Sequence, residues 1–132
     1  MTRSETLRTS SLPGAPNGTN VVVIRGVLAR PPDERQLPNG ERVLGFELRV
    51  AVANGRAESV PIAWFGAPTT ATDLREGSEV VVVGRVRRRF FRIGAQTQSR
   101  TEVVADSVVS TRSIRRAAEA VKRAAAELTQ SL

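Results

Sequence analysis

The sequence predicts an all-β fold, a small closed barrel of five short strands, followed by a single C-terminal α-helix. Two patterns carry this expectation. Up to residue 110, short β-branched runs alternate apolar with polar residues and are divided by Gly-, Pro- and Asn-rich turns. Beyond it the apolar residues recur at intervals of three and four, the period of a helix. A chain of 132 residues suits one such domain, set here at residues 20–110, with a tail on each side.

Residues 1–19 are rich in Ser, Thr, Gly and Pro without hydrophobic period, which reads as a disordered N-terminal arm. The apolar run 21–29 makes the first strand. Gly26 inside it marks a bend or bulge, and Pro31-Pro32 stops it. Leu37-Pro38-Asn39-Gly40 is a tight-turn signal. Leu44, Phe46, Leu48, Val50 and Val52 then alternate with polar or small residues, the second strand, and Asn54-Gly55 signals a two-residue hairpin. The return strand places Val60, Ile62 and Trp64 toward the core and Ser59, Pro61, Ala63 and Phe65 away from it. Pro61 has no N–H, so an edge or bulge is expected there.

Residues 66–73 read as a connection, with a helical turn near Ala71 to Leu74. The fourth strand, 79–91, is long: it begins with four valines and ends in an Arg-rich half, as a hairpin projecting from a barrel would. Gly94 marks its tip, and 102–109 is the last strand. In the segment 111–132, an amphipathic C-terminal helix, Ile114, Ala117, Ala118, Val121, Ala125 and Leu128 form the apolar stripe, and Ser113 is placed to cap its N-terminus.

Composition removes most chemistry. The chain has no Cys and no His, which excludes a thiol nucleophile, disulfides, a histidine general base and a structural zinc site. No phosphate-binding loop or dinucleotide fingerprint is present. The adjacent acids Asp33-Glu34 read as a solvated loop. The expectation is a protein that is not an enzyme, with no cofactor, no metal and no small-molecule substrate. No apolar run approaches the ~18 residues that span a bilayer, so no membrane partner and a cytoplasmic location are expected.

Charge is more informative. The net +7 divides into +1 over residues 1–19, +3 over 20–110 and +3 over 111–132. Arg85, Arg87, Arg88, Arg89, Arg92 and Arg100 fall in a stretch free of acids, a concentrated field that attracts polyanions. Arg85, Arg87, Arg89 and Phe91 are two residues apart and share a face of the strand. Cations that follow phosphates beside a ring that stacks on unpaired bases are what a single-stranded nucleic acid requires. Phe65, pointing outward, supplies a second ring, whereas Trp64 belongs to the core.

Taken in order, these segments resemble bacterial single-stranded-DNA-binding proteins, an oligonucleotide-binding-fold (OB-fold) family. The resemblance rests on residues 20–29 (NVVVIRGVLA), Leu37-Pro38-Asn39-Gly40, 43–48 (VLGFEL), Trp64-Phe65-Gly66, 74–78 (LREGS), 83–89 (VGRVRRR) and 101–106 (TEVVAD). It implies a five-stranded OB-fold barrel, sequence-tolerant binding of single-stranded DNA in replication, repair or recombination, and a homo-oligomer, a tetramer more than a dimer. By position it implies stacking by Phe65 and Phe91, phosphate contacts from Arg87 and Arg89, and Asn20 near the backbone path. The residues themselves add Arg85 and Arg92 to the groove, with Arg56 on the neighbouring hairpin.

Three departures point to a specialised paralogue. The loop after the second strand is short and lacks the family's aromatic, Ser59 stands where a stacking Trp often opens the third strand, and an acidic C-terminal tip is replaced by a basic helix. The alternative function is an interaction module of a replication-restart assembly, resembling primosomal replication protein N.

Overall fold

The computed structural model describes residues 18–132. The expected arm over 1–19 therefore lies outside the described residues, apart from Gly18 and Thr19. Six strands and one α-helix follow: β1 (Val22–Leu28), β2 (Asp33–Gln36), β3 (Arg42–Ala51), β4 (Ala57–Phe65), β5 (Glu79–Ile93), β6 (Gln96–Ser110) and α1 (Ile114–Gln130). A 3-10 turn at Thr69–Asp73 occupies the connection between β4 and β5 and overlaps the helical turn expected near Ala71 to Leu74.

The period-two reading sets the core. Leu44, Phe46 and Leu48 of β3, Ile62 and Trp64 of β4, and Val80 and Val82 of β5 are buried together with Leu28, Val103 and Ala105. The pairings run β1–β5–β6–β4–β3 and return to β1 through Val27 and Leu28 opposite Arg49 and Leu48. All contacts in this circuit are antiparallel except β4–β6. Two glycines permit it. A Cβ on Gly26 would lie 2.7 Å from the Arg49 carbonyl oxygen, where β1 turns from β5 toward β3. A Cβ on Gly84 would lie 2.0 Å from the Val104 carbonyl oxygen, beside a β-bulge. At that bulge Val83 pairs with Ser107 but Gly84 with Ala105, so Asp106 has no cross-strand partner. Pro61 sits one residue before β4 begins pairing with β6, so its missing N–H falls where that edge is open.

β2 is a sixth strand beside this five-strand circuit, and it corrects the expectation of a solvated loop at Asp33-Glu34. Its four residues are all exposed and polar, so no alternation announces it. The ladder to β3 forms because the turn after Gln36 folds the chain straight back. Leu37 N donates to Glu41 O, Gly40 N donates to Leu37 O, and Gly40 lies at φ 86°. The β3–β4 hairpin repeats this geometry: Val52 N donates to Arg56 O, Gly55 N donates to Val52 O, and Gly55 lies at φ 81°. Both are three-residue loops with a left-handed glycine, not the expected two-residue turn at Asn54-Gly55. Arg42 bonds Glu34 across the β2–β3 ladder and donates to the carbonyls of Ala67 and Pro68, clamping the chain just after Phe65. That hydrogen bond also holds the Glu34 carboxyl below its ordinary pKa.

α1 packs on the outer face of β5 and β6 through Ala117, Ala120 and Ala124, against Val81, Val83 and Val109. Only Ala117 of the expected stripe is among them. Ile114, Val121 and Leu128 are exposed, because the small alanines, not the larger side chains, let the helix backbone approach the strands. Ser113 occupies the N-cap position, yet its side chain makes no capping bond; its carbonyl accepts from Ala117 N at 3.0 Å. Among the described residues no helix is long and apolar enough to cross a membrane.

Candidate nucleic-acid interface

β5 and β6 outgrow the rest of the sheet. β1 pairs with β5 no further than Gly84, and β4 pairs with β6 only at Val103 and Val104. The distal halves, closed by Gly94-Ala95, therefore pair as strands only with each other and form a two-stranded arm. Because β4 and β6 run parallel, the β3–β4 hairpin leaves the body in the same direction, with Arg56 exposed at its end. An Arg100–Glu47 contact of 3.6 Å ties the arm to that hairpin.

On the outer face of the arm the predicted residues come together. The Arg87 guanidinium lies 5.1 Å from the centroid of the Phe65 ring, and that of Arg89 lies 5.2 Å from the Phe91 ring. Both rings are half-buried. Between the two pairs sits Glu102, only 6% exposed, bonded to Arg87 and 3.5 Å from Arg89. One carboxylate thus fixes two cations, each capping a ring, in a continuous array of planar groups. Arg100 stands 4.0 Å from the same carboxylate.

Glu102 is the residue the composition argument missed. The stretch 85–100 holds no acid, but the returning strand brings Glu102 and Asp106 alongside, and β3 brings Glu47. Six arginines against three carboxylates leave +3, not +6. The sequence does contain the signal: counting outward equally from a Gly94-Ala95 tip sets Glu102 opposite Arg87 and Arg100 opposite Arg89.

The remaining candidates are placed differently. Arg85 is exposed on the same face, with Asp106 at 3.9 Å. Asn20 spends its amide on the strand: Nδ2 donates to Val86 O at 2.8 Å, and Oδ1 accepts from Val86 N at 2.9 Å. It thereby extends the β1 ladder onto the arm. Arg92 corrects the expected groove, since by alternation it lies on the opposite face of β5 from Arg85, Arg87 and Arg89.

Comparison with known proteins agrees with this geometry. Residues 19–111 match the model of the single-strand binding protein family. A single-stranded DNA-binding protein of Oceanobacillus iheyensis is 37% identical over 98 residues, covering 67% of this chain and 61% of that protein. The chain therefore matches less than two-thirds of that relative's length.

Proposed function

The chain belongs to the single-strand binding protein family, and from that premise we propose that it binds single-stranded DNA without strong sequence preference and without chemistry of its own. The observation that carries this reading is the pair of Arg-over-Phe contacts on one face of the arm, Arg87 on Phe65 and Arg89 on Phe91. Phosphates follow Arg85, Arg87 and Arg89, while bases stack on the planar array that Glu102 holds in place. Arg56 extends the positive track along the neighbouring hairpin, and Asn20 contributes by fixing the base of the arm. The circuit of strand pairings supports a five-stranded OB-fold barrel as the platform. The exposed Ile114, Val121 and Leu128 support a homo-oligomer, with a tetramer as the family-based expectation. Replication, repair or recombination, all cytoplasmic in a bacterium, are the settings this activity implies.

Anisotropy titrations of a labelled oligothymidine at two salt concentrations test the proposal. Binding should weaken with salt, each neutralised phosphate adding about −0.7 to the log–log slope. Phe91→Ala should cost about tenfold in affinity with the slope unchanged, since stacking releases no counterion. Arg85→Ala should reduce both. Absence of binding at low salt overturns the proposal and favours the interaction-module alternative, to which the short β3–β4 hairpin also points.

A further inference from the structure

The arm has a second face. Val86, Arg88, Phe90 and Arg92 alternate with the residues of the outer face and project on the opposite side of β5. Phe90 is 66% exposed, the most open aromatic ring in the described structure, and the Arg88 guanidinium lies 5.5 Å from its centroid. This repeats on the reverse side the Arg-over-Phe unit that occurs twice on the front. The facing residues differ, however. Opposite Arg88, Phe90 and Arg92 stand Thr101, Ser99 and Thr97. Arg88 Nη2 donates to Ser99 Oγ at 3.0 Å, and among the described residues neither Arg88 nor Arg92 has an acidic partner. The outer face spends part of its charge on Glu102, whereas this one keeps both cations and adds hydroxyl donors. An exposed ring beside two guanidinium groups without acidic partners is complementary to a ligand that is both planar and anionic.

We propose that this face of the arm is a second binding surface for single-stranded nucleic acid, with Phe90 as the stacking ring and Arg88 and Arg92 as phosphate contacts. It rests on the single-strand-binding reading above and extends it: a strand that fills the outer face continues past the Gly94 tip onto the reverse side.

The test uses the full chain and an oligothymidine of about 30 nucleotides, long enough to exceed the roughly 4–16 that one OB-fold engages. Phe90→Ala should lose about tenfold in affinity. An Arg88→Gln/Arg92→Gln double variant should make the log–log salt slope shallower by about 1.4. In a Phe90→Trp variant, saturating oligothymidine should quench the new indole, while the buried Trp64 of the unaltered chain reports the background. Wild-type affinity in Phe90→Ala overturns the second surface and leaves the family reading intact. No binding by the unaltered chain removes both. If Phe90→Ala instead lowers the particle mass in light scattering, the face holds another copy of the chain, and the proposal is wrong.

Discussion

Glu102 governs how much of the arginine cluster a ligand can use. A carboxylate 6% exposed beside Arg87, Arg89 and Arg100 orders the guanidinium groups and cancels part of their charge. Glu102→Gln keeps the shape and removes the charge. It should steepen the salt dependence of DNA binding by about 0.7 in log–log slope, because one more cation meets phosphate. It should also lower stability by about 1–3 kcal/mol, measured by urea titration, as a charge-assisted bond becomes a neutral one. A variant with unchanged slope would mean that the pair stays closed in the complex. At this scale period two made the shared face of Arg85, Arg87 and Arg89 and the outward turn of Phe65 legible. What charge counting along the chain could not supply was the identity of cross-strand neighbours, and with it the role of Glu102; the separation of Arg92 from the groove follows from the same alternation, which the expected groove overlooked.

Among the elements, the β5–β6 arm depends on the bulge at its root. Gly84→Ala would drive a methyl into the Val104 backbone, which cannot move without opening the ladder. A loss of about 1–3 kcal/mol in urea unfolding is expected, toward the upper end because the obstacle is main chain. Gly45→Ala, whose nearest obstacle stands at 4.0 Å, is the control and should leave the midpoint nearly unchanged. The strands that bury alternate residues were all readable from the sequence, since burial imposes the period. β2 was not, because a fully exposed polar strand leaves no hydrophobic trace and owes its existence to the Leu37–Glu41 turn and Arg42. The helix was readable in extent but not in orientation. The period set out a stripe that includes Ile114 and Leu128, whereas close packing on Val81 and Val109 selected Ala120 and Ala124.

The whole molecule carries its net +7 unevenly, with a basic helix on one side of the body and a basic arm extending from it. Ile114, Val121 and Leu128 recur every seven residues along α1 and stay exposed, a narrow apolar seam. If self-association uses this seam, Val121→Glu should lower the mass seen by light scattering while helicity and oligothymidine binding per chain persist. An unchanged mass would locate self-association on another surface. Sequence alone indicated an apolar stripe on the helix, but not that this seam stays exposed, since that depends on which stripe the body had already taken.

The unpartnered Asp106 acts on side-chain direction as an inserted base acts on a reading frame. On one side of it the odd-numbered Val103 and Ala105 fill the interior; on the other, the even-numbered Val108 does. If the alternation set by Val108 ran on toward the tip with Asp106 paired like its neighbours, Glu102 would fall in the apolar interior and Val103 in solvent. Looping out that one residue instead matches both sides of β6 to the unbroken alternation of β5, so that Val103 meets Val86 on the interior side and Glu102 meets Arg87 on the front of the arm. The ordering of the front guanidinium groups therefore depends on an offset made by an aspartate that need never touch the ligand.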